Sequence, residues 1–167
     1  MQDLFYTNKF KKKSNFLLSN LEMSQIDKMA TYDGIPSIKL MENAGKKIAH
    51  ICSQIMKKNS FKKVLILCGP GNNGGDGYFA SHYLKRDFKD INIFSETPAS
   101  NLKGDAKKAF EMCNYKIMTK ISFDDINGSN IIIDALFGTG LSRPLSKQIS
   151  NIIKWIKQTK KFVVAVD

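Results

Sequence analysis

The sequence predicts an α/β fold of three layers, a mostly parallel sheet with helices on both faces. Three observations carry this. Apolar, β-branched runs recur at 63–68, 91–94, 131–133 and 162–166, each short enough to be a strand. Amphipathic helical patterns separate them, and strands alternating with helices pair in parallel and are covered on both faces. Five of the 11 glycines fall within residues 69–77, directly after the first run and before a helical pattern, so a strand leads through a glycine loop into a helix.

Residues 1–17 hold Lys9, Lys11, Lys12 and Lys13 without periodicity and read as a flexible basic arm; residues 18–167 form one domain. Ser19-Asn20-Leu21-Glu22 has the form of a capping box, starting a first helix that Gly34 and Pro36 end. A second helix places Leu40, Ala44, Ile48, Ile51 and Ile55 on one stripe, with His50 on the solvated side beside Asn43, Lys47 and Gln54. After the 63–68 strand and the glycine loop, Phe79, Ala80, Tyr83 and Leu84 mark the third helix. The 91–94 strand leads to a helical stripe of Leu102, Ala106, Ala109 and Cys113 and to a weak strand at 115–118. The 131–133 strand ends in Asp134 and a loop through Pro144. Ile149, Ile152, Ile153 and Ile156 mark a last helix before the 162–166 strand and Asp167. Because the last strand is apolar at every residue and carries no edge-protecting charge, it is expected inside the sheet near the central strand.

Composition narrows the function. The formal charge is +11, which invites a nucleic-acid reading, yet only Arg86 and Arg143 among 26 basic residues are arginines. Base readout and phosphate forks favour arginine, and dispersed lysine is a solvated surface, so nucleic acid is not an expected partner. Cys52, Cys68 and Cys113 lie far apart with no Cys-x-x-Cys pair, which fits reduced thiols in a cytoplasmic protein and offers no zinc site. No apolar run reaches membrane-spanning length.

The glycine stretch Gly69-Pro70-Gly71-Asn72-Asn73-Gly74-Gly75-Asp76-Gly77 is expected to bring backbone close to a ligand, since bare amides at a helix start attract anions. It satisfies the dinucleotide fingerprint at Gly69, Gly71 and Gly74, with Glu96 downstream, which allows a nicotinamide-dependent dehydrogenase. Pro70 and the amide and carboxylate oxygens that follow are foreign to that fingerprint, and no Gly-Lys-Ser/Thr ending permits a P-loop. A non-catalytic nucleotide-ligand-binding module is a further alternative. Parallel strands must deliver this loop, the Asp134–Pro144 loop and Asp167 to one edge of the sheet, where ligands of such folds bind.

Four segments in order, Leu40-Met41-Glu42-Asn43-Ala44-Gly45, the Gly69–Gly77 loop, Asp134-Ala135-Leu136-Phe137-Gly138-Thr139-Gly140-Leu141 and Val163-Val164-Ala165-Val166-Asp167, resemble the NAD(P)H-hydrate epimerase family. The resemblance runs from about residue 18 to the end. It implies a Rossmann-like domain that interconverts the R and S epimers of hydrated NADH and NADPH, an isomerase of nicotinamide nucleotide repair. It further implies that Asn72, Asn73, Gly74, Gly75 and Asp76 hold the substrate and that Gly138, Thr139, Gly140, Leu141, Ser142, Arg143 and Pro144 wrap its phosphates, Arg143 at the pyrophosphate. Asp167 would contact the substrate near the reacting ring and is the candidate for proton transfer. Asn73 and Asp134 would ligate a potassium ion, which takes oxygen ligands. Asp76 has a second reading as a cap of its helix. Homodimeric assembly and a functional partnership with an NAD(P)H-hydrate dehydratase are the associations implied. Family members continue past this aspartate with Ile-Pro-Ser-Gly-like residues and further strand and helix, so the domain is expected to be incomplete at its C-terminus and weakened without that part.

Overall fold

The computed structural model describes residues 19–113, 116–138, 140–141 and 144–166. The basic arm and four of the candidate site residues, Thr139, Ser142, Arg143 and Asp167, lie outside the described residues.

The elements run α1 (Asn20–Tyr32), α2 (Ser37–Lys58), β1 (Lys63–Cys68), α3 (Asn72–Leu84), β2 (Asp90–Ser95), a 3-10 turn (Ala99–Asn101), α4 (Gly104–Met112), β3 (Ile117–Met118), α5 (Phe123–Gly128), β4 (Ile131–Ala135), α6 (Lys147–Thr159) and β5 (Phe162–Ala165). The five strands form one all-parallel sheet in the order β3-β2-β1-β4-β5. Central β1 is buried from Val64 to Cys68 because both its faces are covered. Val64, Ile66 and Cys68 join the layer of α2, α3 and α4 with Met56, Phe79 and Leu84. Leu65 and Leu67 point the other way, into the layer of α5 and α6 with Ile126, Ile149 and Ile152. Each such side chain contributes roughly 1.5–3 kcal/mol by leaving water.

Local chemistry explains the helix starts. Ser19 caps α1 by accepting from the Glu22 amide, while the Glu22 carboxylate takes the Ser19 amide at 2.7 Å; this is the expected capping box. Ser122 and Asp125 make a second box at α5, a helix the periodicity did not reveal because it is only six residues long.

Three expectations are corrected. The buried stripe of α2 is Met41, Gly45, Ala49, Cys52 and Met56, one position round from the isoleucine row, because small residues let α3 approach. A Cβ on Gly45 would collide with that of Phe79. The 115–118 strand reduces to Ile117–Met118, with Tyr115 outside the described residues. Finally, β5 is not next to the central strand. β4 occupies that place, and β5 pairs outboard of it, leaving Phe162 and Val163 exposed. Apolar composition made β5 a strand; it did not set its rank in the sheet.

Candidate functional site

The carboxyl ends of β1, β4 and β5 meet at one edge. At β1 the chain turns in residues 69–71 and α3 begins at Asn72, so most of the predicted glycine loop is helix. The first bond of that helix runs from the Gly75 amide to the Gly71 carbonyl at 3.1 Å, which leaves the amides of Asn72 and Asn73 unclaimed by the helix. Unclaimed amides with a helix dipole behind them attract anions.

The glycines mostly serve a different purpose from the one expected. Gly69, Gly74, Gly75 and Gly77 are buried, and protein atoms occupy the space where each side chain would stand. A Cβ on Gly69 would meet the Leu136 carbonyl, one on Gly74 the Gly69 carbonyl, and one on Gly75 the Met41 thioether. One on Gly77 would lie 2.8 Å from the Cys68 sulfur and 2.9 Å from the Ala135 Cβ. Gly75 therefore packs α3 against α2 and α4, and a valine there costs folding as well as any binding. Gly71, the N-cap, is exposed with open space around it.

Asn73 and Asp134, far apart in sequence, converge on Val166. The Asn73 side-chain amide donates to the Val166 carbonyl at 2.7 Å, and the Val166 amide donates to the Asp134 carbonyl at 2.9 Å. The half-buried Asp134 carboxylate accepts from the Leu136 amide at 3.2 Å. Burial pushes its pKa up, opposed by that hydrogen bond. With its nitrogen committed, the Asn73 amide keeps its oxygen as a donor to a cation, and the residues tied together here, Asn73, Asp134 and Val166, carry an amide oxygen, a carboxylate and backbone carbonyls. That set fits an oxygen-seeking cation such as potassium. Among the described residues no group of three or more His, Cys, Asp or Glu residues could hold a metal ion.

Asp76 does not cap its helix: it lies in the second turn of α3, and the N-cap is Gly71. Its carboxyl faces a cleft of about 640 Å³ between α1, α2 and the start of α3. Burial first, and the like charge of Asp27 second, push its pKa up to about 7. This cleft, with Met23 and Asp27 of α1 on its wall, escaped the sequence reading. A helix amphipathicity scan carries no signal for a wall formed by two separate helices.

The second loop is more open. Gly138 is half-buried, whereas Gly140, Leu141 and Pro144 are exposed. Glu96 follows β2, its amide on the Cys68 carbonyl at 2.9 Å. Cys68 itself is fully buried, with its thiol pushed up by burial, a packing residue and not a nucleophile. His50 is exposed and its ring nitrogen meets Gln54 at 3.1 Å. No helix among the described residues is long and apolar enough to cross a membrane.

Fold and site together define an open, doubly wound α/β domain that presents a ligand edge at the carboxyl ends of β1, β4 and β5. The family described as YjeF-related protein N-terminus matches residues 37–167, and the chain belongs to it. A bifunctional NAD(P)H-hydrate repair enzyme Nnr of Archaeoglobus fulgidus is 36% identical over 151 residues, 90% of this chain and 31% of that relative. NAD(P)H-hydrate epimerases of Plasmodium knowlesi and Oenococcus oeni are 35% and 32% identical over 137 residues, each covering 80% of this chain. The alignments take in 47% and 64% of those two relatives, so the chain spans only part of the length of the proteins it matches. The crystal structure of yeast ynu0, YNL200c, superposes with a TM-score of 0.76 at 23% identity, covering 92% of this chain and 70% of that one; it bears on the fold alone.

Proposed function

We propose that the protein is an NAD(P)H-hydrate epimerase, interconverting the R and S epimers of hydrated NADH or NADPH. The observation that carries the reading is the junction at Val166, where Asn73 from the start of α3 and Asp134 from the end of β4 meet beside unclaimed helix amides. Relatives named as epimerases at 32–35% identity support it.

The hydrate bears its hydroxyl on the carbon beside the ring nitrogen, so it is a carbinolamine. Protonation of that hydroxyl lets the nitrogen lone pair expel water and leaves an iminium ion that water re-enters from either face. Such a reaction needs a clamp on the dinucleotide and proton carriers at the carbon. In this reading Asn72 to Asp76 hold the substrate at the α3 start, and Gly138 to Pro144 wrap its phosphates. Asp167 serves as a proton carrier at the ring. Asn73 and Asp134 would hold a potassium ion, whose contribution is charge that fixes the two loops. A cytoplasmic location and partnership with an NAD(P)H-hydrate dehydratase belong to the same reading.

The test is an assay on separated hydrate epimers. Interconversion above the spontaneous rate supports the proposal. Saturable binding without interconversion would leave a ligand-binding module, and hydride transfer from ordinary NADH or NADPH would leave a dehydrogenase.

A further inference from the structure

A second cleft, of about 480 Å³, opens at the amino ends of the strands, on the edge of the sheet opposite the ligand edge. Phe61 enters it from before β1, Asn130 from before β4, and Lys160, Lys161 and Phe162 from the turn between α6 and β5. Two mirrored tripeptides, Phe61-Lys62-Lys63 and Lys160-Lys161-Phe162, are thereby brought together from opposite halves of the chain. Their ring centroids stand 6.4 Å apart with the planes at 63°, Phe61 half-buried and Phe162 exposed. The Asn130 side-chain oxygen accepts from the amides of Lys62 at 3.0 Å and Lys63 at 2.9 Å, which ties the first tripeptide to the cleft. Each tripeptide leaves a helix through a left-handed residue, Ser60 at φ 55° after α2 and Lys160 at φ 50° after α6. Among the described residues these two are the non-glycine residues with positive φ. Glycine or asparagine takes that conformation at less cost, so backbone strain is concentrated where the rings and lysines are presented. Among the described residues no carboxylate lines the cleft. The two at or just before the start of β2, Asp87 and Asp90, are paired with Lys57 at 2.6 Å and Lys63 at 3.7 Å. Lys62, Lys160 and Lys161 make no ion pair among the described residues.

We propose that this cleft binds single-stranded nucleic acid, with one base against the Phe61 and Phe162 rings and the flanking phosphates on Lys62, Lys160 and Lys161. The site stands apart from the epimerase reading, on the other edge of the sheet. Lysines scattered along the sequence are gathered here by the fold, which composition did not reveal. Every base has an aromatic face, so stacking tolerates any sequence. Lysine holds phosphate as a point charge, and no arginine in the cleft supplies a fork to read a base edge. Binding is therefore expected to be indifferent to sequence. A bilayer is the other anionic surface that phenylalanine and lysine suit, but it takes rings that protrude, whereas these line a concavity.

Fluorescence anisotropy on the full chain, with a short labelled oligouridylate and its deoxy counterpart, tests this. Wild type is expected to bind both, with an affinity that falls with salt at a logarithmic slope of about −2, as lysine–phosphate contacts at Lys62, Lys160 and Lys161 on a single strand require. Inorganic polyphosphate, which has no bases, and vesicles containing phosphatidylserine are expected to bind about 10-fold more weakly. Phe162→Leu, which keeps an apolar side chain without the ring, is expected to weaken the oligonucleotide about 10-fold at an unchanged salt slope, and Phe162→Tyr to restore it. Replacing Lys160 and Lys161 together by Gln is expected to flatten the slope to about −0.7. Both Phe162 variants keep a large side chain on β5, and the lysine pair gives a readout that needs no change on the strand. Wild-type affinity in Phe162→Leu, equal binding of polyphosphate, tighter binding of the vesicles, or no salt-dependent binding at all would each overturn the proposal.

Discussion

Between β1 and α3 the chain turns within residues 69–71, and Gly69 there and Gly74, Gly75 and Gly77 in the helix that follows are clamped, Gly71 alone of the five standing open; between β4 and α6 it takes residues 136–146, and Gly140 stands in open space. Both stretches are glycine-bearing and both follow a buried parallel strand into the same edge. In the first, glycine removes side chains so that α3 can sit on the sheet and against α2. In the second, apart from its chain neighbours, no atom of the described residues lies within 4 Å of where the Gly140 side chain would be, so packing among them does not demand glycine there. A count of glycines therefore does not separate close approach to a ligand from close approach to protein. What separates them is the presence of a neighbouring helix or strand.

The sharpest way to break this comparison is Gly74→Val. Its side chain would run into the Gly69 carbonyl, a backbone atom that cannot swing aside, and the expected loss is about 4 kcal/mol or more, read as failure to unfold cooperatively or a large fall in denaturation midpoint. A variant as stable as wild type would show that the clamp is illusory.

Asp76→Asn probes the same clamped region through charge. The folded carboxyl titrates near 7 against an ordinary 3.8, so the native state binds more protons than the unfolded state between those values, and stability falls as pH rises through that window. Asparagine removes the penalty. The variant is expected to be more stable than wild type at pH 8 by about 1–2 kcal/mol, discounted for partial exposure, and to lose that advantage toward pH 4. Thermal melts at the two pH values check it, and a constant difference would mean that Asp76 ionises freely.

At the mouth of the open loop, Asp134→Ala is expected to abolish any stabilisation by potassium. Wild type should melt a few degrees higher in potassium than in a large inert monovalent cation, and the variant should melt alike in both. A wild type indifferent to the exchange removes the cation from the junction.

The smallest effect should come from Gly140→Ala, within about 0.5 kcal/mol on folding, because among the described residues the new methyl meets nothing beyond its chain neighbours. A large destabilisation would mean that the open loop is as closely packed as the clamped one.

Much of the architecture was legible in the letters. Strands of Ile, Val and Leu buried on both faces can be little else, and the Ser19–Glu22 box marks its helix start by chemistry that needs no tertiary context. That Asn73 and Asp134 come together at one edge was legible through parallel topology, which sends the ends of β1 and β4 the same way. The orientation of α2 was not, because a stripe of Gly45, Ala49 and Cys52 scores as weakly apolar beside a row of isoleucines, although close approach to α3 favours it. The outer position of β5 was not, since order within a sheet depends on which strands compete for the central edge. The cleft holding Asp27 and Asp76 was the least legible, being a space between helices and not a property of either.

Val166 has both its backbone polar groups taken, the amide by the end of β4 and the carbonyl by a side chain from α3. The amide can exchange with solvent only when the tail of β5 lifts from β4, and that lift also strips Asn73 of its partner. Hydrogen–deuterium exchange at this one amide is thus coupled to the order of the whole ligand edge. Anything that braces Asn73 or Asp134 slows it, and anything that frees them speeds it, without a spectroscopic label or an assayable substrate.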